Sequence, residues 1–125
     1  MAARIRAGAG VRVLAMDSEQ SFDLDVAAFA RLRDAGQSHT VLDVREPWEV
    51  AICAFDGSLN IPMRELPARL SDLPQDRPLV VVCHHGMRSY QVAAWLRRNG
   101  FGNAANLAGG IDAWARSVDP SMPSY

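Results

Sequence analysis

The sequence predicts a three-layer α/β domain, with a central, mostly parallel sheet flanked by helices. Short β-branched segments alternate along the chain with segments of helical periodicity, as they do where helices connect parallel strands. Residues 79–83 are apolar at every position, which is typical of a strand covered on both faces. The length of 125 residues corresponds to one domain whose core needs no disulfide or metal.

The first half of the chain shows clear start and stop signals. Residues 23–25 open a helix that carries apolar residues at helical spacing and ends at Gly36. Pro47 favours a second helix start, because proline is suited to the first helical position. Pro62 ends an extended segment. In order, we predict a strand at 11–16, a helix from 23–25 to 36, a strand at 40–44, a helix from 46, a turn at 56–58 and an extended segment at 59–61.

The second half contains the most apolar strand and a well-defined helix that ends at Gly100. In order, we predict a short helix at 63–70, a surface loop at 73–78, the buried strand at 79–83, a helix at 89–99, a strand at 104–107, a turn at 109–110 and a helix at 111–118. We divide the chain into an N-terminal extension with the first strand at 1–20, a core domain at 21–118 and a C-terminal tail at 119–125.

Composition and charge exclude several classes of protein. The net charge is −1 with no basic stripe, so we expect no nucleic-acid partner. No apolar stretch approaches the roughly 20 residues of a membrane-spanning helix, so we expect no membrane partner. All 13 basic residues are arginine, which excludes Schiff-base and phosphate-loop lysines. The N-terminus carries arginine but no secretory apolar segment, which favours a cytoplasmic location over a short transit peptide.

The chemistry is predicted where the apolar strand at 79–83 ends. Ligands of open α/β sheets bind beyond the carboxyl ends of the strands. Cys83 ends that strand and faces the N-terminus of the next helix, whose free N–H groups favour a negatively charged sulfur. Gly86 allows the loop amides to turn inward, and Arg88 adds a positive charge. We therefore predict Cys83 as the nucleophile in an anion-binding loop formed by His84, His85, Gly86, Met87, Arg88 and Ser89.

The number of residues in the loop narrows the choice of reaction class. Four residues separate Cys83 from Arg88, one fewer than in cysteine phosphatases. The smaller loop suits a single sulfur atom on the cysteine better than a tetrahedral phosphate. We therefore expect Cys83 to carry a persulfide, and the short loop disfavours a small phosphatase or an arsenate reductase.

At this level of detail the chain resembles the single-domain rhodanese-like sulfurtransferases, from about residue 41 to residue 114. The resemblance implies a rhodanese-like fold with the cysteine loop at the carboxyl edge of the sheet. It also implies that Cys83 takes a sulfane sulfur from a donor and passes it to a thiophilic acceptor, with no cofactor and no metal. The matching motifs are Leu42-Asp43-Val44-Arg45-Glu46, Asp56-Gly57-Ser58, Asn60-Ile61-Pro62, Cys83-x-x-Gly86-x-Arg88, Ala93-x-x-Leu96, Gly100-Phe101 and Leu107-x-Gly109-Gly110-Ile111-x-x-Trp114.

Two positions depart from the family pattern. Cys53 and Ala54 stand where many members have Gly-His, and His84 stands where thiosulfate-using members often carry Arg or Lys. A neutral histidine attracts a dianion less strongly, so a persulfide competes with thiosulfate as the expected donor. The His-His loop and residues 111–120 are similar to rhodanese modules associated with E1-like adenylyltransferases. This implies an alternative: a relay module that is loaded by a cysteine desulfurase or another persulfide and delivers sulfur to a ubiquitin-like sulfur carrier.

The sequence allows two interpretations for each of three charged residues near the loop, Asp43, Arg45 and Arg88. Asp43 and Arg45 follow a strand that should neighbour the cysteine loop, so both are candidates for supporting the site. Alternatively, Asp43 fixes a local loop and Arg45 pairs with Glu49. Arg88 either contacts the bound anion, or caps carbonyl groups or pairs with an acid.

The second cysteine and the loop histidines also allow more than one role. Cys83 could alternatively be a packing residue that ends an apolar strand. Cys53 could form a disulfide with Cys83 or act as a resolving thiol. Cys83, His84 and His85 form a conceivable metal-ligand cluster, but adjacent residues give poor chelate geometry, so we predict no metal. As exposed loop side chains, the two histidines are expected to influence donor and acceptor specificity.

Overall fold

The structure is a computed structural model that describes residues 22–125. The strand predicted at 11–16 lies outside these residues. The described elements, in chain order, are β1 (Asp23–Leu24), α1 (Val26–Asp34), β2 (Thr40–Asp43), α2 (Pro47–Ile52), β3 (Leu59–Asn60), two 3₁₀ helices (Met63–Ala68 and Leu70–Asp72), β4 (Leu79–Val82), α3 (Met87–Arg98), β5 (Ala104–Leu107) and α4 (Gly110–Ser117).

The five described strands form one sheet in the order β1-β5-β4-β2-β3, and all of their pairings are parallel. β4 lies at the centre, paired with β2 on one side and β5 on the other. The predicted α/β class is therefore confirmed, and the described part of the sheet is entirely parallel.

The sheet separates two apolar clusters. Leu79 and Val81 of β4 belong to the cluster that contains Leu96 of α3. Val80 and Val82 belong to the opposite cluster, which contains Trp114 of α4 and a residue of α1. Because successive strand residues point to opposite faces, a central strand between two helical layers must be apolar at every position. This explains the continuous apolar run at 79–83.

Three predicted elements differ from those in the structure. Asp23 and Leu24 form a strand paired with β5 instead of opening a helix. The helix begins at Val26, and Asp25 caps it by accepting a hydrogen bond of 2.8 Å from the amide of Ala28. The helix predicted at 63–70 consists of 3₁₀ turns, and Pro67 within it has no N–H for an α-helical bond. Finally, α3 begins at Met87, two residues earlier than predicted.

Candidate active site

The sulfur of Cys83 lies at the carboxyl end of β4 and is held by backbone amides. The residue is 1% exposed. Its Sγ accepts hydrogen bonds from the amide of Gly86 at 3.1 Å and from the amide of Ser89 at 3.3 Å. Gly86 has a φ of 99°, in the left-handed region where a side chain is unfavourable. Two inward-facing amides at the start of α3 thus stabilise negative charge on this sulfur.

The first turn of α4 supports the loop from behind. The amides of Ile111 and Asp112 donate to the carbonyl groups of Cys83 and His84, each at 3.0 Å. Gly110 makes this approach possible, because a Cβ atom there would lie 2.3 Å from the carbonyl oxygen of His84. The Gly109-Gly110 pair, which the sequence predicted as a turn, therefore lets α4 hold the loop carbonyls.

A buried polar chain continues from the sulfur into the sheet. The hydroxyl of Ser89 lies 3.3 Å from Cys83 Sγ and 2.6 Å from Oδ1 of Asn106. Asn106 in turn donates from Nδ2 to the carboxylate of Asp23 at 2.9 Å. Because a carboxylate can only accept, the nitrogen of the Asn106 amide faces Asp23 and its oxygen faces Ser89. Since a serine hydroxyl has one proton, the short contact commits that proton to Asn106. The sequence analysis missed Asn106, although a polar residue in a fully buried strand was a usable signal.

Replacing Ser89 with alanine is expected to lower the free energy of unfolding by about 1–3 kcal/mol, because the buried Oδ1 of Asn106 loses its donor. The hydrogen bonds from the amides of Gly86 and Ser89 to Cys83 Sγ should persist, since both are backbone groups. Urea unfolding measures the loss of stability. Ser71→Ala, which removes an exposed hydroxyl, is the matched control. An unchanged stability of the Ser89 variant would contradict the assigned hydrogen bond.

Arg88 forms a bidentate ion pair with Glu49 of α2. Its two terminal nitrogens lie 2.9 Å from the two carboxylate oxygens of Glu49, whose side chain is 6% exposed. Hydrogen bonding from Arg88 is the main reason that the pKa of Glu49 is lowered to about 2, and the pair raises the pKa of Arg88. Of the interpretations given for Arg88, the structure shows pairing with an acid. Its charge is therefore compensated.

Arg45 forms its ion pair with Asp43. The alternative that Arg45 pairs with Glu49 is wrong for the carboxylate, since Arg45 reaches only the backbone carbonyl of Glu49, at 3.4 Å. Both side chains of the Arg45–Asp43 pair are fully buried, and Nη2 lies 2.7 Å from Oδ2. Arg45 also donates to the carbonyl of Cys53 at 2.7 Å and to the hydroxyl of Tyr125 at 2.9 Å. Burial works to lower the pKa of Arg45, but the hydrogen bonds to Asp43 and Tyr125 outweigh it and raise that pKa. Asp43 and Arg45 thus brace the strand end beside the cysteine loop.

His84 lies between two other rings. His85 stacks on one side with a ring-centroid distance of 3.9 Å, and Tyr125 stacks on the other at 3.9 Å and 10° between planes. In the described part of the chain, Nε2 of His84 is buried without a hydrogen-bond partner. Burial, with a smaller effect from His85, lowers the pKa of His84, which favours the neutral form of the ring. The sequence analysis placed Tyr125 in the C-terminal tail and missed this contact.

Of the metal-ligand group that the sequence made conceivable, the two histidines lie together with Asp112 and not with Cys83. The ligand atoms of His84, His85 and Asp112 are within 4.8 Å of one another, so they could hold a metal ion. The stacked rings and the hydrogen bond from Arg116 to Asp112 at 3.0 Å do not favour a bound metal ion.

Cys53 is a free, buried thiol in the apolar cluster that contains Trp114, with its Sγ 4.0 Å from Arg45. Met87 is 74% exposed at the start of α3.

The described residues thus form a parallel α/β domain with a buried cysteine in an amide-lined loop at the carboxyl edge of the sheet. The family model for the rhodanese-like domain matches residues 25–117. The chain therefore belongs to the rhodanese-like family, as the resemblance predicted. Within residues 22–125, no helix is long and apolar enough to cross a membrane.

Three relatives show the breadth of the similarity. A sulfurtransferase of Allochromatium vinosum is 45% identical over 76 residues, which are 61% of this chain and 71% of that protein. An adenylyltransferase and sulfurtransferase of Zea mays is 35% identical over 96% of this chain, which spans only 26% of that protein. A rhodanese-related protein of Thermoplasma volcanium superposes with a TM-score of 0.70 at 33% identity, covering 77% of this chain and 92% of that one.

Proposed function

We propose that the protein is a sulfurtransferase that carries a sulfane sulfur as a persulfide on Cys83. The Cys83 thiolate attacks the outer sulfur of a donor, the bond between the two donor sulfurs breaks, and the donor leaves as a thiolate or, from thiosulfate, as sulfite. A thiophilic acceptor then attacks the outer sulfur of the Cys83 persulfide and releases the Cys83 thiolate. Each step exchanges one sulfur bond for another, so no external oxidant or reductant is needed.

The observation that carries this proposal is the pair of amides on Cys83 Sγ. The amides of Gly86 and Ser89 donate to the sulfur within 3.3 Å. They stabilise the attacking thiolate in a site largely shielded from water. His84, His85, Met87 and Arg88 line the same loop and are proposed to contact the donor or acceptor.

The charges around the loop favour a persulfide donor over thiosulfate. Glu49 neutralises Arg88, and burial favours the neutral form of His84 by lowering its pKa. The loop therefore offers little net positive charge to attract a dianion such as thiosulfate. A persulfide carries one negative charge or none, so its binding depends less on positive charge in the loop. We propose that small persulfides are the preferred donors and that turnover with thiosulfate is slow.

The same charge balance favours a second candidate function, a relay module that delivers sulfur to a partner protein. The similarity of this chain to adenylyltransferase and sulfurtransferase proteins supports this candidate. The proposed partners are a cysteine desulfurase or another persulfide as donor and a ubiquitin-like sulfur carrier as acceptor, in the cytoplasm. Rapid transfer to a protein acceptor combined with poor turnover on small acceptors would distinguish the relay.

Loading of Cys83 is the direct test. Incubation with cysteine persulfide or with thiosulfate should add one sulfur atom, about 32 Da by intact mass spectrometry. We expect the persulfide to load the protein roughly tenfold faster, the difference that about 1.4 kcal/mol of electrostatic cost produces. Cys83→Ser should show no adduct, and Cys53→Ser should load like the wild type. Absence of an adduct with every sulfane donor would refute the proposed function.

A further inference from the structure

The C-terminal segment, residues 119–125, is docked against the cysteine loop. It turns back after α4, where the amide of Asp119 donates to the carbonyl of Trp114 at 2.9 Å and Ser121 bonds to the Asp119 carboxylate. Met122 then packs on the apolar cluster that contains Trp114. The segment lies beyond the range matched by the family model, 25–117. Its path brings Tyr125 to the carboxyl edge of the sheet.

The hydroxyl of Tyr125 joins two charged groups of the site. It accepts a hydrogen bond of 2.9 Å from Arg45 and donates one of 2.8 Å to Glu49. Because arginine can only donate, the phenol proton must go to the carboxylate. Glu49 also holds Arg88, so the tail is bonded to the same carboxylate that neutralises the loop arginine.

The ring of Tyr125 covers one side of the loop. It stacks on His84, the residue next to Cys83, at 3.9 Å between centroids. It also makes an edge contact of 5.9 Å with Trp48, which is otherwise exposed. The side chain is thus fixed by two hydrogen bonds and two ring contacts. The ring of Tyr125 therefore occupies the His84 side of the loop.

We propose that Tyr125 is a specificity-determining residue of the sulfur-transfer site. With the tail docked, small sulfur compounds reach Cys83, whereas a protein partner reaches the His84 side of the loop only by displacing Tyr125. This inference rests on the proposed function, since it names which donors and acceptors the persulfide site accepts. It adds a steric preference for small over protein-bound sulfur compounds to the electrostatic preference for persulfides over thiosulfate.

Selective labelling of Cys83 tests this inference without requiring sulfur transfer. In a Cys53→Ser background, Cys83 is labelled with iodoacetamide, a small reagent, and with a maleimide coupled by a short linker to a folded protein. Tyr125→Ala should raise the rate with the protein-coupled maleimide about tenfold, while the rate with iodoacetamide changes by less than about twofold, because only the bulky reagent needs the tail displaced. Tyr125→Phe, which keeps the ring but loses both hydrogen bonds, should lie between the wild type and Tyr125→Ala.

Two controls make the result decisive. Ser124→Ala removes an exposed side chain of the same tail and should leave both rates unchanged. By NMR, the pKa of His84 should rise towards its ordinary value in Tyr125→Ala, because water replaces the stacked ring. If the ratio of the two labelling rates is the same in Tyr125→Ala as in the wild type, whether or not both rates rise, the inference is overturned. If the labelling ratio changes as expected but Cys83 takes up no sulfur from any donor, the proposed function is wrong while Tyr125 still controls access to Cys83.

Discussion

Replacing Asp43 with asparagine is expected to lower the free energy of unfolding by about 3–5 kcal/mol, because it leaves the Arg45 guanidinium buried without a counter-charge. Arg45 and Asp43 both have fully buried side chains, so neither solvent nor salt can compensate for the lost carboxylate. A loss of this size is a large part of the roughly 5–15 kcal/mol that stabilises a typical domain. Urea unfolding followed by tryptophan fluorescence measures it.

Two further variants isolate the cause. Asp76→Asn breaks an exposed ion pair with Arg77 and should leave stability unchanged within error. The double variant Asp43→Leu with Arg45→Met removes both charges and should be more stable than Asp43→Asn, because no buried charge is left unpaired. If Asp43→Asn unfolded at the same urea concentration as the wild type, the pair would not have the structural role assigned to it.

Replacing Glu49 with glutamine is expected to speed loading by thiosulfate about tenfold, because Arg88 then presents an uncompensated charge to the dianion. Loading by cysteine persulfide should change much less, so the preference between the two donors shifts towards thiosulfate. Intact-mass time courses with each donor measure both rates. Glu65→Gln, which alters a half-exposed glutamate on the first 3₁₀ helix, is the matched control. An unchanged donor preference would contradict the idea that Glu49 masks Arg88.

The same variant should change how stability depends on pH. Glu49 has a pKa lowered from 4.5 to about 2 in the folded protein. A lowered pKa means that the contribution of Glu49 to stability is complete above pH 4.5 and is lost as the pH falls towards 2. That contribution is on the order of 3 kcal/mol. The wild type should therefore lose more stability than Glu49→Gln between these two pH values.

Most of the fold could be predicted from local patterns. The strand at 104–107 was predicted with the bounds found in the structure, and Pro47 begins α2 as expected. These elements are marked by the residues they contain. β1 could not be found in this way, because Asp23 and Leu24 are extended only through pairing with Asn106 and Leu107. A two-residue strand has no periodicity of its own.

The candidate site was predicted in part for the same reason. Cys83, Gly86 and Ser89 lie within seven residues, so the strand-to-helix junction itself brings them close together. The pairing of charges was not predictable in this way. Arg45 is four residues from Glu49 and two from Asp43, and only the end of β2 places it against Asp43. Glu49 is left to Arg88, 39 positions away.

The sequence by itself determined the α/β class, the place of the cysteine at a strand end and the amide-lined loop around it, because each depends on neighbouring residues. The tertiary structure alone decided the electrostatic state and the accessibility of that loop. Glu49 compensates Arg88, and Tyr125 from the far end of the chain covers His84. Ion pairs and ring contacts between distant residues depend on how helices and sheet pack, and no local pattern encodes them.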